Sequence, residues 1–333
     1  MRTSFDSWLG LDTRIIQAPI GGFASVELAA AVSNAGGLGS LALTWTEPKV
    51  AAQMVKDLRG ETRYLFFVNF VLSFQPSALT AALEAGAPMV SFSWGLPGPL
   101  VKLVKSFGAK VLVQVGTERG AQRALDEGCD AIICQGIEAG GHVQSSTPLR
   151  ELLPQVVAMS GGAPVIAAGG LMDGSDIAEV LSLGADAAML GTRFVASTEC
   201  QAHGDYKRAL IAAGRGDTCL TGCFDGGWPN APSGVLRNST LSSWETDGCP
   251  PVGRRPGEND VIATTKSGDV IRRYDCAAPT VDTEGDVLAC CLYAGAGAYK
   301  IREIRPVGSL MSDLWKSAQE ELIRLDSQAI ART

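Results

Sequence analysis

The sequence predicts an α/β protein, a (β/α)8 TIM barrel with a smaller α+β capping domain in its C-terminal third, on three observations. Eight short apolar runs recur between residues 15 and 191, the stretches between them show helical periodicity, and after about residue 205 the chain turns rich in Gly, Pro, Ser and Asn. The runs are 15–19, 38–43, 64–70, 89–94, 110–115, 131–135, 164–168 and 187–191. Their nearly continuous apolar character suits parallel strands covered on both faces.

Helices are expected over 26–35, 48–58, 76–84, 118–127 and 177–183. The last is the best punctuated: Asp173 can cap it with Asp176 three residues on, and Gly184 can end it. An open doubly wound sheet would carry a Gly-rich turn directly after its first strand. Here Gly36-Gly-Leu-Gly precedes a strand, and no G-K-[ST] occurs, so dinucleotide-fold and P-loop readings fall. The expected barrel covers 1–204 and is completed by a helical segment over 291–333. A cap occupies 205–290, and an amphipathic helix over 309–331 has Leu310, Leu314, Leu322 and Leu325 on its apolar side.

A composition 46% apolar and 19% charged suits a folded α/β chain, and 333 residues suffice for one barrel plus an appendage. Net charge is −7 and the basic residues are scattered, which argues against nucleic acid as a partner. The first twelve residues lack secretory or transit character, and no run approaches 18 apolar residues, so a cytoplasmic protein without membrane segments is expected. Six of the nine cysteines lie beyond residue 215, but their spacings match no metal-binding pair, so no metal is expected. The assembly is left open, a homodimer included.

Barrel enzymes place chemistry at the C-terminal ends of their strands. After the seventh and eighth runs come Ala167-Ala-Gly-Gly-Leu-Met-Asp-Gly and Leu190-Gly-Thr-Arg-Phe. Glycines there, Gly169, Gly170 and Gly191, can offer backbone N–H groups to a phosphate, and the helices that follow would add their positive ends. After the sixth run comes Gln135-Gly-Ile-Glu-Ala-Gly-Gly-His142. Gly140 and Gly141 allow the chain to pass close to a planar ligand, and His142 can project into the barrel mouth as a general base. His203, the other histidine, reads as a surface residue. Asn69, taken to close the third strand, either meets a heterocycle edge or makes an Asx turn. Trp94 either lines a pocket or packs in the core. Asp130 precedes the sixth strand, so it cannot pair with Glu138 across the site.

The segments Gln17-Ala-Pro-Ile-Gly-Gly, Ala30-Ala-Val-Ser-Asn-Ala-Gly-Gly-Leu-Gly, Gln135-Gly-Ile-Glu-Ala-Gly-Gly-His, Ala167-Ala-Gly-Gly and Met189-Leu-Gly-Thr-Arg-Phe resemble the nitronate monooxygenases, formerly called 2-nitropropane dioxygenases. The resemblance spans nearly the whole chain. It implies an FMN-dependent oxidoreductase that denitrifies alkyl nitronates with O2. It puts flavin contacts on Ala18, Pro19, Asn69, Gln135, Gly140, Gly170, Gly191 and Thr192, with Gly141, Gly169 and Met189 beside them in the same motifs, and catalysis on His142. Gln114 and Gln135 are candidates for stabilising reduced flavin. Residues 165–194 are similar also to inosine-monophosphate dehydrogenase, so the Gly-Gly-His segment is the discriminating one. Two departures stand out: Val143-Gln144 after His142, and Ala296 where relatives often have glutamine. The alternatives are an FMN-dependent enoyl-acyl-carrier-protein reductase using NAD(P)H and a non-catalytic flavin-binding protein.

Overall fold

The computed structural model describes residues 9–23 and 25–330. Residues 1–8 of the N-terminal stretch and Ala331, the expected end of the closing helix, lie outside them. All eight apolar runs form parallel strands: β1 (Ile15–Gln17), β2 (Gly39–Ala42), β3 (Phe66–Val71), β4 (Met89–Ser93), β5 (Lys110–Val115), β6 (Ala131–Gln135), β7 (Val165–Ala168) and β8 (Ala187–Leu190). Their order is β1-β8-β7-β6-β5-β4-β3-β2, so neighbours in sequence are neighbours in space. The barrel closes through a bridge between Ile16 and Leu38, where the Gln17 amide donates to the Leu38 carbonyl at 3.0 Å.

The glycines before β2 explain that closure. A Cβ at Gly39 would lie 2.0 Å from the Ala29 carbonyl oxygen, and one at Gly37 would lie 2.7 Å from that of Ile15. The Gly36-Gly-Leu-Gly cluster therefore serves close backbone packing, not phosphate. Alternation along the strands fills two spaces. Ile16, Leu38, Phe67, Met89, Leu112, Ile133 and Ile166 fill the barrel interior. Their neighbours Ile15, Phe66, Val68, Val90, Val111, Ile132 and Val165 face the helices.

Those helices are α1 (Val26–Asn34), α2 (Pro48–Glu61), α3 (Leu79–Glu84), α4 (Leu100–Ser106), α5 (Glu118–Asp126), α6 (Leu149–Met159), α7 (Gly174–Ser182) and α8 (Thr192–Val195). Ser25 and Thr117 cap α1 and α5 by accepting from the Leu28 and Gly120 amides. Helix α3 starts at Leu79, not at 76, because the first residues form a turn in which the Leu79 amide bonds the Pro76 carbonyl at 3.0 Å.

Beyond the barrel strands lie α9 (Gly204–Ala212), β9 (Thr218–Thr221), β10 (Ser233–Leu236), α10 (Ser239–Thr246), β11 (Val261–Thr265), β12 (Val270–Arg272) and β13 (Thr283–Gly285). The last three form a small antiparallel sheet. The closing helix α11 (Val307–Ile330) packs on α7 and α1. Leu310, Met311, Leu314 and Ala318 are buried, whereas Leu322 and Leu325, expected on the same side, are only partly so. Among the described residues no helix is long and apolar enough to cross a membrane.

Candidate functional site

The C-terminal ends of the strands open into a cavity of about 380 Å3. The residues expected to hold flavin or do catalysis all line it: Ala18 and Pro19 after β1, Asn69 in β3, Gln135 at the end of β6, Gly140, Gly141 and His142 beyond it, Gly169 and Gly170 after β7, and Met189, Gly191 and Thr192 at and just after β8. Trp94 lines it too. Sequence reasoning missed Trp45, Trp228, Cys276 and Tyr293, which complete the wall. A tryptophan held between glycines and a proline at 226–229, and a tyrosine directly before Ala294-Gly-Ala-Gly, are the signals the sequence offers for Trp228 and Tyr293, and none marks Cys276.

The His142 loop is fixed by both halves of the chain. Gly141–His142 forms a two-residue strand antiparallel to β10, with His142 opposite Ser233 and Gly141 opposite Gly234. Close approach demands glycine on both sides: a Cβ at Gly234 would lie 2.3 Å from the Ala139 carbonyl oxygen, and one at Gly140 would lie 2.5 Å from the Gly295 nitrogen. The His142 Nδ1 lies 2.9 Å from the Ala231 carbonyl oxygen, which can only accept, so Nδ1 carries the hydrogen. Its Nε2 lies 3.1 Å from the Tyr293 hydroxyl, which in turn is 2.7 Å from the Cys276 carbonyl oxygen. Burial lowers the His142 pKa, opposed in part by the Ala231 contact. The imidazole is thus neutral at neutral pH.

Two glutamines hold this loop. Gln135 accepts from the Gln144 amide at 2.9 Å and donates to the His142 carbonyl at 3.3 Å. These two bonds use one N–H and one lone pair of its amide, so one of each is left for a ligand in the cavity that Gln135 lines. Gln144 accepts from the Trp94 amide at 2.6 Å and donates to the Gln114 carbonyl at 3.0 Å, tying the loop to the ends of β4 and β5. The same bond holds Trp94 at φ +57°, a left-handed conformation uncommon for a bulky residue.

Asn69 sits inside β3, not at its end, and makes no Asx turn. Its side chain donates to the Ser91 hydroxyl at 2.9 Å. Asp130 accepts from the Val111 amide at the opposite end of the barrel, and Glu138 accepts from the Leu149 amide at the start of α6, so they form no pair. His203, expected at the surface, is half-buried there and caps α9, its Nδ1 accepting from the Asp205 amide at 3.1 Å.

Gly169 and Gly170 hold φ +134° and +68°, a sharp turn that L side chains resist. The start of α8 has no side-chain cap, leaving the Gly191–Thr192 turn facing the cavity. The expected contribution from α7 needs correction. Its N-terminus is satisfied by a capping box between Asp173 and Asp176, and Asp176 also accepts from the Met172 amide and pairs with Lys300 at 2.7 Å. That helix end is neutralised by its own carboxylates. No Lys, Arg, Asp or Glu is among the described residues that line the cavity.

The family model for nitronate monooxygenase matches residues 6–82 and 66–317. A nitronate monooxygenase of Pseudomonas aeruginosa is 32% identical, over 94% of this chain and 98% of the relative. Among solved structures, FabK from Thermotoga maritima superposes with a TM-score of 0.81 at 29% identity, covering 98% of this chain and 99% of that one. A nitroalkane oxidase from Streptomyces ansochromogenes gives 0.77 at 31% identity, covering 95% and 98%. With a matching family model over most of its length and a relative that aligns with 94% of it, this chain belongs to the nitronate monooxygenase family and is an oxidoreductase.

Proposed function

We propose that the chain binds FMN at the barrel mouth and oxidises alkyl nitronates with O2, and that His142 is the base when the substrate arrives as a neutral nitroalkane. The observation that carries this reading is the His142 ring itself. A neutral imidazole of fixed tautomer lines a cavity without charged side chains, beside glycine loops from β7 and β8.

The residues present fit FMN. The backbone N–H groups of Gly169, Gly170, Gly191 and Thr192 would hold its single terminal phosphate, and Ala18, Pro19, Asn69, Gly140, Gly141 and Met189 would flank its ring. Bound FMN would supply the acceptor for the substrate's electrons. The protein's share of the chemistry is different. The mostly apolar, uncharged wall limits water and favours a delocalised anion over a compact one. His142 takes a proton from the neutral substrate, and Gln135 and Gln144 keep its loop in place. Residues 205–290, taken as a capping unit, contribute Trp228 and Cys276 to the substrate side.

The likeness to FabK favours a second reading, a reductase fed by NAD(P)H. One set of measurements separates them: the flavin released by denaturation is identified, nitrite release and O2 uptake are followed with pre-formed nitronates, and the holoenzyme is mixed anaerobically with NADH and NADPH. The proposal expects FMN, nitronate-dependent O2 uptake and slow bleaching by either nicotinamide. Rapid bleaching without nitronate turnover would favour the reductase.

A further inference from the structure

The contacts around His142 cannot all be filled by a neutral pair. Three run in series: Nδ1 to the Ala231 carbonyl at 2.9 Å, Nε2 to the Tyr293 hydroxyl at 3.1 Å, and that hydroxyl to the Cys276 carbonyl at 2.7 Å. Both ends of the series are carbonyls, which only accept, so each contact needs its own proton. A neutral imidazole brings one N–H and a phenol one O–H. That is two protons for three contacts, and an imidazolium supplies the third.

We propose that Tyr293 is a catalytic residue of nitroalkane deprotonation, its hydroxyl oxygen taking the substrate's α-proton while passing its own proton to His142 Nε2. The inference rests on the reading of His142 as the ultimate base. In the step, the substrate C–H bond breaks and its electron pair stays behind to give the nitronate. The Tyr293 O–H turns from the Cys276 carbonyl to Nε2, that O–H bond breaks as an N–H bond forms at Nε2, and the new O–H bond made with the substrate's proton takes up the Cys276 contact. The products are a nitronate, a neutral phenol and an imidazolium, with net charge unchanged and all three contacts filled.

Geometry favours this route over direct transfer. The lone pair of Nε2 points at Tyr293, whose ring lines the cavity. Tyr293 is itself pinned: its backbone bridges to Val235, and its carbonyl accepts from the Tyr206 hydroxyl. The titratable groups beside the pair are the Cys276 and Cys291 thiols and the Tyr206 phenol, all pushed up by burial and so neutral. Burial also keeps the Tyr293 phenol protonated.

The test uses the holoenzyme. With only two histidines in the chain, the imidazole C–H resonances are readily assigned by His203→Gln. In Tyr293→Phe, turnover of neutral nitroalkane should fall on the order of 10²-fold, turnover of pre-formed nitronate should hold within a few-fold, and the His142 titration midpoint should move down, because the imidazolium loses its acceptor at Nε2. In the wild type, D2O and α-deuterated substrate should slow the same step. Tyr293→Phe that keeps or gains neutral-substrate activity, a midpoint that stays or rises, or an α-deuterium effect without a D2O effect would each remove the relay and leave His142 as a direct base. A wild type inert toward neutral nitroalkanes would remove both.

Discussion

The His142 and Trp228 rings lie 4.1 Å apart, centroid to centroid, at an interplanar angle of 42°, so a residue on the β6 loop meets one from the segment beyond the barrel. Trp228 is buried and braced edge-on by Trp94 at 5.0 Å and Phe74 at 5.2 Å, with Trp45 at 6.1 Å toward the rim. On the proposed function, this aromatic wall would meet the substrate's alkyl portion. Aromatic pairs contribute about 0.5–1.5 kcal/mol beyond area burial. Trp228→Leu should therefore cut the preference in kcat/KM for a phenyl-bearing nitronate over ethyl nitronate by about tenfold. An unchanged preference would place the alkyl group elsewhere.

Phosphate binding at the β7 and β8 loops is best probed at Gly191. Its φ of −109° suits any residue, and a Cβ there would meet only Ala18 at 3.4 Å, an ordinary contact. Gly191→Asp should fold normally and lose FMN, because a carboxylate would enter the ring of N–H donors. Gly170 is a poorer probe. Its φ is +68° and a Cβ would lie 2.9 Å from the Glu138 Cβ, so strain would confound the charge effect. Full FMN occupancy in purified Gly191→Asp would move the phosphate away from this turn.

The strands and the His142 loop were legible because their signals are local: apolar runs, helical spacing, and glycines at strand ends. What the sequence concealed is non-local. Gln135 stands where a ligand contact is expected, yet half of its amide's bonding capacity goes to residues seven and nine positions on. The Asp173 capping box was readable, but not that Asp176 would also bond the Met172 amide and pair with Lys300 from far along the chain. Tyr293 lies 151 residues from His142 along the chain, and no periodicity links them.

The Asp176 carboxylate gives a stability prediction. Its side chain is 8% exposed, bonds the Met172 amide, and pairs with Lys300 from the stretch that leads into α11. Burial opposes the Lys300 charge, but its bonds to Asp176 and Asp173 outweigh that and raise its pKa. The pair's contribution is therefore present below the ordinary lysine pKa and fades as pH rises through the raised value. Asp176→Ala removes the reciprocal half of the α7 capping box and the bond to the Met172 amide, and leaves Lys300 with Asp173 alone, at a cost on the order of 3 kcal/mol. Urea unfolding near neutral pH checks this through the midpoint at constant slope. A change within about 0.5 kcal/mol would mean that water replaces the carboxylate.

His142→Asn separates deprotonation from oxidation. A neutral nitroalkane must lose its α-proton before it can donate electrons, whereas a nitronate has already lost it. Asparagine cannot hold a proton at Nε2, so the variant should keep FMN, lose on the order of 10²-fold or more with the neutral substrate, and lose much less with the nitronate. The wild type supplies the matching pH profile. The histidine pKa is lowered by burial from its ordinary value of about 6.5. The base form is therefore already present at neutral pH, and kcat/KM for freshly diluted nitroalkane should level off above about pH 6.5 and fall at lower pH. Stability shares that sign: between the lowered folded value and the ordinary one the unfolded chain binds the extra proton, so acid weakens the fold through this window and spares it above. An acid limb centred above pH 6.5, or equal losses with both substrates in His142→Asn, would assign the imidazole to orienting the substrate instead.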